Sequence, residues 1–337
     1  MILVTGGTGL LGSHLLYYLA SGGNNVRATY RNPTKIEQVK RLFSFYSKEQ
    51  ADVYFEQIEW VQADVLDIPA LEQAFQDVTI VYHLAAIVSY NRKDFSNMMK
   101  TNREGTANMV NLALDFGVEK FCFISSTSAV SINYEDRKAP LIEANKWVQT
   151  TNTSGYAISK YSSEKEVWRG IEEGLNAVII NPSIILGAGN WGESSLKIVQ
   201  LAAKGFPFYS AGANAVVDVR DVVECMLLCV KNNVSPDRYL CTGTMISFHD
   251  LMNQLADELG TKRPKWKTNK LLSNLALFGD FIKGIFSGKR TLTRESIETA
   301  MSTTTYDSSK LKRVLNFEFR PLEDTIKFTA KGRNLNS

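Results

Sequence analysis

The chain has little to offer metal chemistry. It contains only three histidines and four cysteines, and Cys122, Cys225, Cys229 and Cys241 stand in apolar segments with no C-x-x-C among them. Zinc sites and disulfide frameworks need paired spacings, so buried free thiols in a reducing compartment are expected, and no metal site. Cys225 and Cys229, four apart in "ECMLLCVK", read as helix packing. Excess charge is scarce too: the net charge is +3 and no dense run of Lys and Arg occurs, which argues against a nucleic-acid partner. No apolar run reaches the ~20 residues that span a bilayer. The nearest, "LLSNLALFGDFIKGIFSGKR" (271–290), carries Asp280 and Lys283 in its middle. It reads as a packed helix or the wall of a substrate lobe, with interfacial membrane contact as the other reading. "MILVTGG" has no basic n-region and no cleavage site, so no secretory signal is expected and the expected location is cytoplasmic.

What is present is globular. Hydrophobic residues make up 44% and charged residues 22%, which speaks against disorder or a fibre, and 337 residues suit a main domain with a smaller lobe. Short β-branched runs alternate with helical patterns, the mark of βαβ units and a parallel sheet. Strands are expected at 2–5, 25–30, 58–64, 80–85, 120–126 and 177–183, and helices at 11–21, 34–46, 68–76, 95–116 and 156–172. After Pro182 the pattern loosens into the Gly-rich "LGAGNWGESS" (186–195), then returns as strand, helix and strand over 215–243. The expected division is a dinucleotide-binding domain of 1–186 plus 215–243, with a discontinuous α/β substrate lobe of 187–214 plus 244–337.

Four motifs carry chemistry. In "VTGGTGLLGSHLLYYL" (4–19), Gly7, Gly9 and Gly12 satisfy G-x-G-x-x-G, while Gly6, Gly9 and Gly12 satisfy G-x-x-G-x-x-G. Such glycines allow a tight turn and close approach of backbone to a pyrophosphate, and a helix opening at Leu10 and Leu11 aims free N–H groups at the phosphates. The pattern follows an apolar strand and opens an amphipathic helix, which is the context it needs. The next strand ends in "VRATYRNPTK" (26–35) with no acid for a ribose 2′-hydroxyl but with Arg31, and Lys35 close behind. A guanidinium there suits the 2′-phosphate of NADP(H), so NADP(H) is favoured over NAD(H). Asp64 in "QADVLD" reads either as an acceptor for the adenine amino group, with Val65 on the ring, or as a helix-cap or turn residue. Leu84, Ala85 and Ala86 end the strand in "YHLAAIVS" and let a cofactor come close, whereas His83 reads as a packed, hydrogen-bonded histidine.

"TGGTGLLG", "RATYRNP", "ADVLD", "HLAA", "KTNREGTANMV", "FISSTSAV" and "YAISK" together resemble the extended short-chain dehydrogenase/reductase superfamily. Within it the chain looks most like the branch of dihydroflavonol 4-reductase, cinnamoyl-CoA reductase and 3β-hydroxysteroid dehydrogenase-like proteins. The resemblance covers the cofactor domain nearly end to end and continues more thinly through "NPSIILG", "VVDVRDVV" and "MSTTTYDSSKLKRVLNFEFRPLEDTI". It implies a Rossmann-type doubly wound parallel sheet, with Y-x-x-x-K on Tyr156 and Lys160 and a helix asparagine on Asn102. It also implies an active-site hydroxyl on Thr127, where the family usually has serine, with Ser126 beside it as the alternative. Cofactor contacts are implied at Gly6, Gly9, Gly12, Arg31, Asp64, Val65, Leu84, Ala85, Lys160 and Pro182. Possession of a homodimer through helices on one sheet face is common among such relatives.

The chemistry follows from the residues. Reducing a carbonyl requires a proton for the developing alkoxide, and a tyrosine of ordinary pKa about 10 holds its proton firmly near pH 7. At i and i+4 on a helix, Lys160 shares a face with Tyr156, so its charge is expected to lower the phenol pKa, and its ammonium to bind the nicotinamide ribose. Thr127 is expected to polarise the carbonyl as an oxyanion hole does. Asn102 reads either as an active-site group or as a brace at a helix kink. The expected activity is reduction of a ketone or aldehyde, or oxidation of the alcohol, on a medium-sized, partly hydrophobic small molecule. Trp191, Phe206, Phe208, Tyr209 and 271–286 supply the hydrophobic part. The alternatives are a nucleotide-sugar epimerase or dehydratase with tightly bound NAD, and a non-catalytic dinucleotide sensor.

Overall fold

A computed structural model describes residues 1–131, 139–151, 153–268 and 300–336. Seven strands form one parallel sheet: β1 (Ile2–Thr5), β2 (Val26–Tyr30), β3 (Ile58–Gln62), β4 (Ile80–His83), β5 (Lys120–Ile124), β6 (Ala177–Pro182) and β10 (Asp237–Cys241). Their order is β10-β6-β5-β4-β1-β2-β3. The winding therefore reverses between β1 and β4, and in open α/β sheets ligands bind in the crevice outside the strand C-termini at such a point.

Both faces of this sheet are covered, which is why its central strands are apolar throughout rather than alternating. Ile2 and Val4 of β1 enter one core and Leu3 the other; Cys122 and Ile124 of β5 oppose Phe121 and Phe123 in the same way. The first core is closed by α1 (Leu10–Ser21) and α9 (Val219–Lys231), the second by α4 (Ile68–Ala74), α6 (Gly105–Asp115) and α7 (Gly155–Glu172). The four cysteines are free and buried in the first core or at its edge.

Three local departures from the sequence expectation have physical causes. The helix expected over 95–116 is α5 (Phe95–Met98), a π-helical turn (Met99–Glu104) and then α6. Gly105 lies so close to Val65 that a Cβ would sit 2.4 Å from Cγ2, and the widened turn lets the helix pass there. A short helix, α3 (Ala51–Glu56), follows α2 (Ile36–Tyr46) and was not signalled, being too short to show a period. Within 215–243, β10 joins the edge of the large sheet, but β9 (Ala213–Asp218) pairs with β7 (Ile184–Leu186) and β11 (Thr244–Ser247) in a separate small sheet. A third apolar cluster holds α8 (Lys197–Ala203), α10 (Phe248–Leu259) and the C-terminal α12 (Leu322–Lys331), α11 being Ser309–Leu315. The 271–290 stretch lies outside the described residues. Among those that are described, no helix is long and apolar enough to cross a membrane.

Candidate functional site

A cavity of about 1570 Å³ lies along the C-terminal ends of the central strands. That is more than the ~300–1,000 Å³ of a pocket for one drug-sized ligand. Its floor at β1 is the glycine turn. Gly6 has φ +71°, and a Cβ there would stand 2.7 Å from the Ala85 backbone nitrogen; a Cβ on Gly12 would stand 2.2 Å from the Gly6 carbonyl oxygen. Only glycine permits either approach. Gly9 caps α1 with no side-chain hydrogen bond, so the first N–H groups, from Leu10, Leu11 and Gly12, remain available with the positive end of the helix dipole behind them. Leu84, Ala85 and Ala86 form the facing wall at the end of β4. This backbone cradle fits a pyrophosphate. Further along, Pro182 and Ser183 line the cavity at the end of β6, and the buried Ser183 hydroxyl has no partner among the described residues. That orphan hydroxyl fits a polar group such as the carboxamide of a nicotinamide.

At the β2 end stand Arg31, Asn32 and Lys35. Arg31 is largely exposed and lies 3.4 Å from Asp64, while Lys35 pairs with Glu193 of the Gly-rich loop at 3.0 Å. Asp64 itself does not line the cavity. Its Oδ1 accepts from the Leu66 amide at 3.0 Å, as in its turn reading, while its Oδ2 faces Arg31. Val65 lines the cavity and packs against Gly105.

At the other end, Tyr156 opens α7, whose N-cap Ser154 accepts from the Ala157 amide. Its side chain lines the cavity together with those of Ser126 and Thr127. Burial pushes the phenol well above the ordinary tyrosine pKa, Tyr90 adds to that, and Ser126 pulls it back in part. The sequence expectation that Lys160 lowers this pKa is not met. The two residues share the helix, but the Lys160 ammonium donates to the Ile124 carbonyl at 2.7 Å and sits 4.6 Å from the centre of the Phe123 ring. Burial lowers Lys160 to about 8, opposed by the charge of Glu164. Thr127 and Tyr306 also line the cavity.

Beneath these groups lies a buried polar chain that the sequence did not signal. Glu164 takes Asn181 Nδ2 at 2.5 Å and Arg238 Nη1 at 3.1 Å, and Asn181 donates also to the Ser126 carbonyl at 2.8 Å. Asn102 is a brace. Its Oδ1 accepts from the Ile87 amide at 2.7 Å, and its Nδ2 donates to the Ile87 carbonyl at 2.9 Å and to Ser159 Oγ at 3.0 Å. It does not reach the cavity wall, so it ties the π-helical turn to the loop after β4 and to α7. The expected aromatic lining is also displaced. Trp191 packs in the third core, Phe206 and Phe208 cluster with Trp266, and Tyr209 lies against His249. None of them faces the cavity, whose described apolar groups near Tyr156 include Val88, Tyr90, Leu141 and Val148.

His83 is packed as expected, with Nδ1 2.7 Å from Thr5 Oγ1 and Nε2 3.0 Å from Thr106 Oγ1. His14 likewise joins Tyr46 OH at 2.6 Å to the Ala188 carbonyl at 2.7 Å. Burial lowers His83 to about 3, with Lys160 adding to the effect, and lowers His14 to about 4. Both folded pKa values lie below the unfolded one, so the unfolded chain binds the extra protons. Stability is therefore lost as pH falls below about 6.5 toward 4 for His14 and 3 for His83, at about 1.4 kcal/mol per pH unit for each. Urea melts at pH 7 and pH 5 should differ by several kcal/mol, and His83→Gln should remove roughly half of that difference. An unchanged difference in the variant would refute the assignment.

A glycine cradle at the switch point of a parallel sheet, sharing one cavity with Ser126, Tyr156 and Lys160, defines an enzyme of the extended short-chain dehydrogenase/reductase type, an NAD(P)-dependent oxidoreductase class. The chain belongs to the NAD-dependent epimerase/dehydratase family, whose family model matches residues 2–241. It is 29% identical to the sterol demethylase protein B of Methylococcus capsulatus, over 93% of this chain and 92% of that one. It is 28% identical to a putative dihydroflavonol 4-reductase of Synechocystis (78% of this chain, 73% of the other) and 29% identical to cinnamoyl-CoA reductase 1 of Oryza sativa (76% and 75%). Among solved structures, gox2253 superposes with a TM-score of 0.77 at 27% identity, covering 98% of this chain and 96% of that one. The UDP-glucuronic acid 4-epimerase of Bacillus cereus, solved with NAD, shares the fold with a TM-score of 0.74 at 17% identity, covering 100% and 99%.

Proposed function

We propose that the protein is an NADP(H)-dependent carbonyl reductase, working in reverse as an alcohol dehydrogenase, with Tyr156 as general acid/base and Ser126 as the hydroxyl that polarises the carbonyl. One observation carries the reading: Ser126, Tyr156 and Lys160 line the same cavity as the glycine turn. When bound, the nicotinamide supplies the hydride in reduction and accepts it in oxidation. Gly6, Gly9 and the N–H groups of Leu10, Leu11 and Gly12 would hold the pyrophosphate, Arg31 with Lys35 the 2′-phosphate, and Lys160 the nicotinamide ribose. Ser126 is preferred here to Thr127, the residue that the family resemblance implies, because Ser126 is the one that draws the Tyr156 phenol pKa down. Both hydroxyls converge on one substrate oxygen: Ser126 donates a hydrogen bond to it, and Tyr156 delivers the proton as negative charge develops. A phenol held above its usual pKa is protonated at neutral pH but is a weaker acid, so it gives up its proton only as negative charge develops on the substrate oxygen. The lobe of 187–214 plus 244–337 is read as the part that closes over the substrate.

The test is NADPH oxidation followed at 340 nm with a panel of aldehydes and ketones. Turnover with NADPH is expected to exceed that with NADH, and Arg31→Ala is expected to raise KM for NADPH roughly tenfold while changing that for NADH little. Tightly retained NAD with no net oxidation of NADPH would overturn the reductase reading in favour of an epimerase. Equal effects of Arg31→Ala on both cofactors would remove the NADP preference alone.

A further inference from the structure

Aromatic residues that the sequence reading gave to the substrate lie on a different surface. β8 (Phe208–Tyr209) and β12 (Trp266–Lys267) pair in parallel as a two-stranded ribbon separate from the large sheet. Trp266 packs on Phe208 with ring centres 5.4 Å apart, and Phe206 on Phe208 at 5.7 Å. Even so, Trp266 is 57% exposed and Phe206 40%, the two highest values among the described aromatic residues. The ribbon is fixed in place. Lys265 N and Trp266 N donate to the Pro207 carbonyl at 2.9 and 3.0 Å, and Thr268 N to that of Tyr209 at 2.9 Å. Thr261 Oγ1 donates to the Ala202 carbonyl at 2.7 Å, and Pro264 is buried. An indole held firmly with more than half of its surface in water contributes little to the fold by burial, and a cluster of such rings marks a contact surface.

The surroundings of the rings are basic. Lys204, Lys262, Lys265 and Lys267 are all exposed, and none of them has an ion pair among the described residues. A Cβ on Gly205 would stand 3.7 Å from the Lys262 Cβ, so Lys204 and Lys262 are neighbours across the two segments. Arg263 is already held by Asp257 at 2.6 and 2.7 Å. In sequence, both segments that supply the ribbon, 194–217 and 259–268, lack any acidic residue.

This chemistry selects the occupant. A second copy would set the same lysines against each other, because a two-fold interface repeats its own patch. The cores of protein interfaces are also depleted in lysine. A bilayer surface accommodates both residue types: tryptophan settles at the headgroup level, and lysine stems lie along apolar surface while their ammonium groups stay among the headgroups. Clustered cations are drawn to anionic lipid. We propose that the ribbon docks the protein on a membrane surface containing anionic lipid, with Trp266 and Phe206 entering the headgroup layer and Lys204, Lys262, Lys265 and Lys267 meeting the lipid phosphates. The contact is peripheral, lies outside the cavity and does not depend on the reductase reading.

Co-sedimentation of the full chain with sucrose-loaded vesicles tests it, with phosphatidylcholine alone set against phosphatidylcholine containing about 30% phosphatidylglycerol. Binding to the anionic vesicles is expected to be at least roughly tenfold tighter, and about 0.5 M salt to release it. Trp266→Ala and the double variant Lys265→Glu/Lys267→Glu are each expected to weaken it at least roughly fivefold, with the urea midpoint unchanged. Should Trp266→Ala lower that midpoint, the double variant at exposed positions decides alone. No binding to either vesicle overturns the proposal, and so does equal binding to both. Variants that bind as tightly as the wild type would put the contact elsewhere on the chain and overturn it too. Self-association without vesicles that Trp266→Ala abolishes would assign the ribbon to a second copy instead.

Discussion

Tyr156→Phe is expected to lower kcat about 10²- to 10⁴-fold, the range for removing a positioned proton donor, with NADPH affinity within about threefold of wild type. The ring stays, and with it the packing against Tyr90, whose centre is 6.1 Å away. Ser126→Ala should lose roughly 10²-fold in kcat, as removal of one oxyanion donor does elsewhere. Thr127→Ala should lose less, because Thr127 is not among the groups that shift the Tyr156 phenol. The comparison of the two alanine variants separates the roles. A Thr127→Ala protein with the larger loss in kcat would return the carbonyl-polarising role to Thr127. A Tyr156→Phe protein as active as wild type would end the mechanism altogether.

Arg238→Ala is expected to destabilise the fold by about 3–5 kcal/mol, the cost of leaving one member of a buried ion pair uncompensated. Glu164 is 1% exposed in its side chain and Arg238 is 13% exposed, so the lost guanidinium leaves the carboxylate in largely dry surroundings. Burial already pushes the Glu164 carboxyl above the usual range, and Arg238 opposes that shift. Arg238 also donates to the Glu143 carbonyl, and Glu143 Oε1 accepts from the Leu240 amide, so the same change loosens the 143–145 segment. Urea denaturation measures the loss. Glu164→Gln, which keeps the shape and removes the charge, should rescue part of it in the double variant. A double variant no more stable than Arg238→Ala would show that the pair is not what holds this region. Because Asn181 links Glu164 to the Ser126 carbonyl, the single variant should also lower kcat in the folded protein.

Most of the fold was legible because the signals are local. Strand β1 reads as apolar because both faces of a covered sheet are dry, and α1 reads as a helix because its period begins directly after Gly9. The glycine turn could be recognised for the same reason: a φ of +71° and a 2.2 Å Cβ approach admit one residue type, and the chain spells it out within seven positions. Arg31 and the Tyr156–Lys160 spacing were legible as well, being strand-end and helix-face positions.

What the sequence could not determine were relationships between hydroxyls and charges far apart in the chain. Ser126 and Thr127 are chemically alike and adjacent; only the placement of Tyr156 in space decides which of them acts on its phenol. Lys160 lies on the expected helical face, yet a flexible side chain of four methylenes finds the Ile124 carbonyl, and no spacing rule forecasts that choice. Asp64 and Asn102 had two readings each until backbone amides claimed their side chains. The Glu164–Arg238 pair spans 74 positions. The sequence by itself determined the dinucleotide-binding frame, since local backbone demands are written residue by residue. The tertiary structure alone decided the pairing of its polar side chains, because those pairs form between segments that only folding brings together.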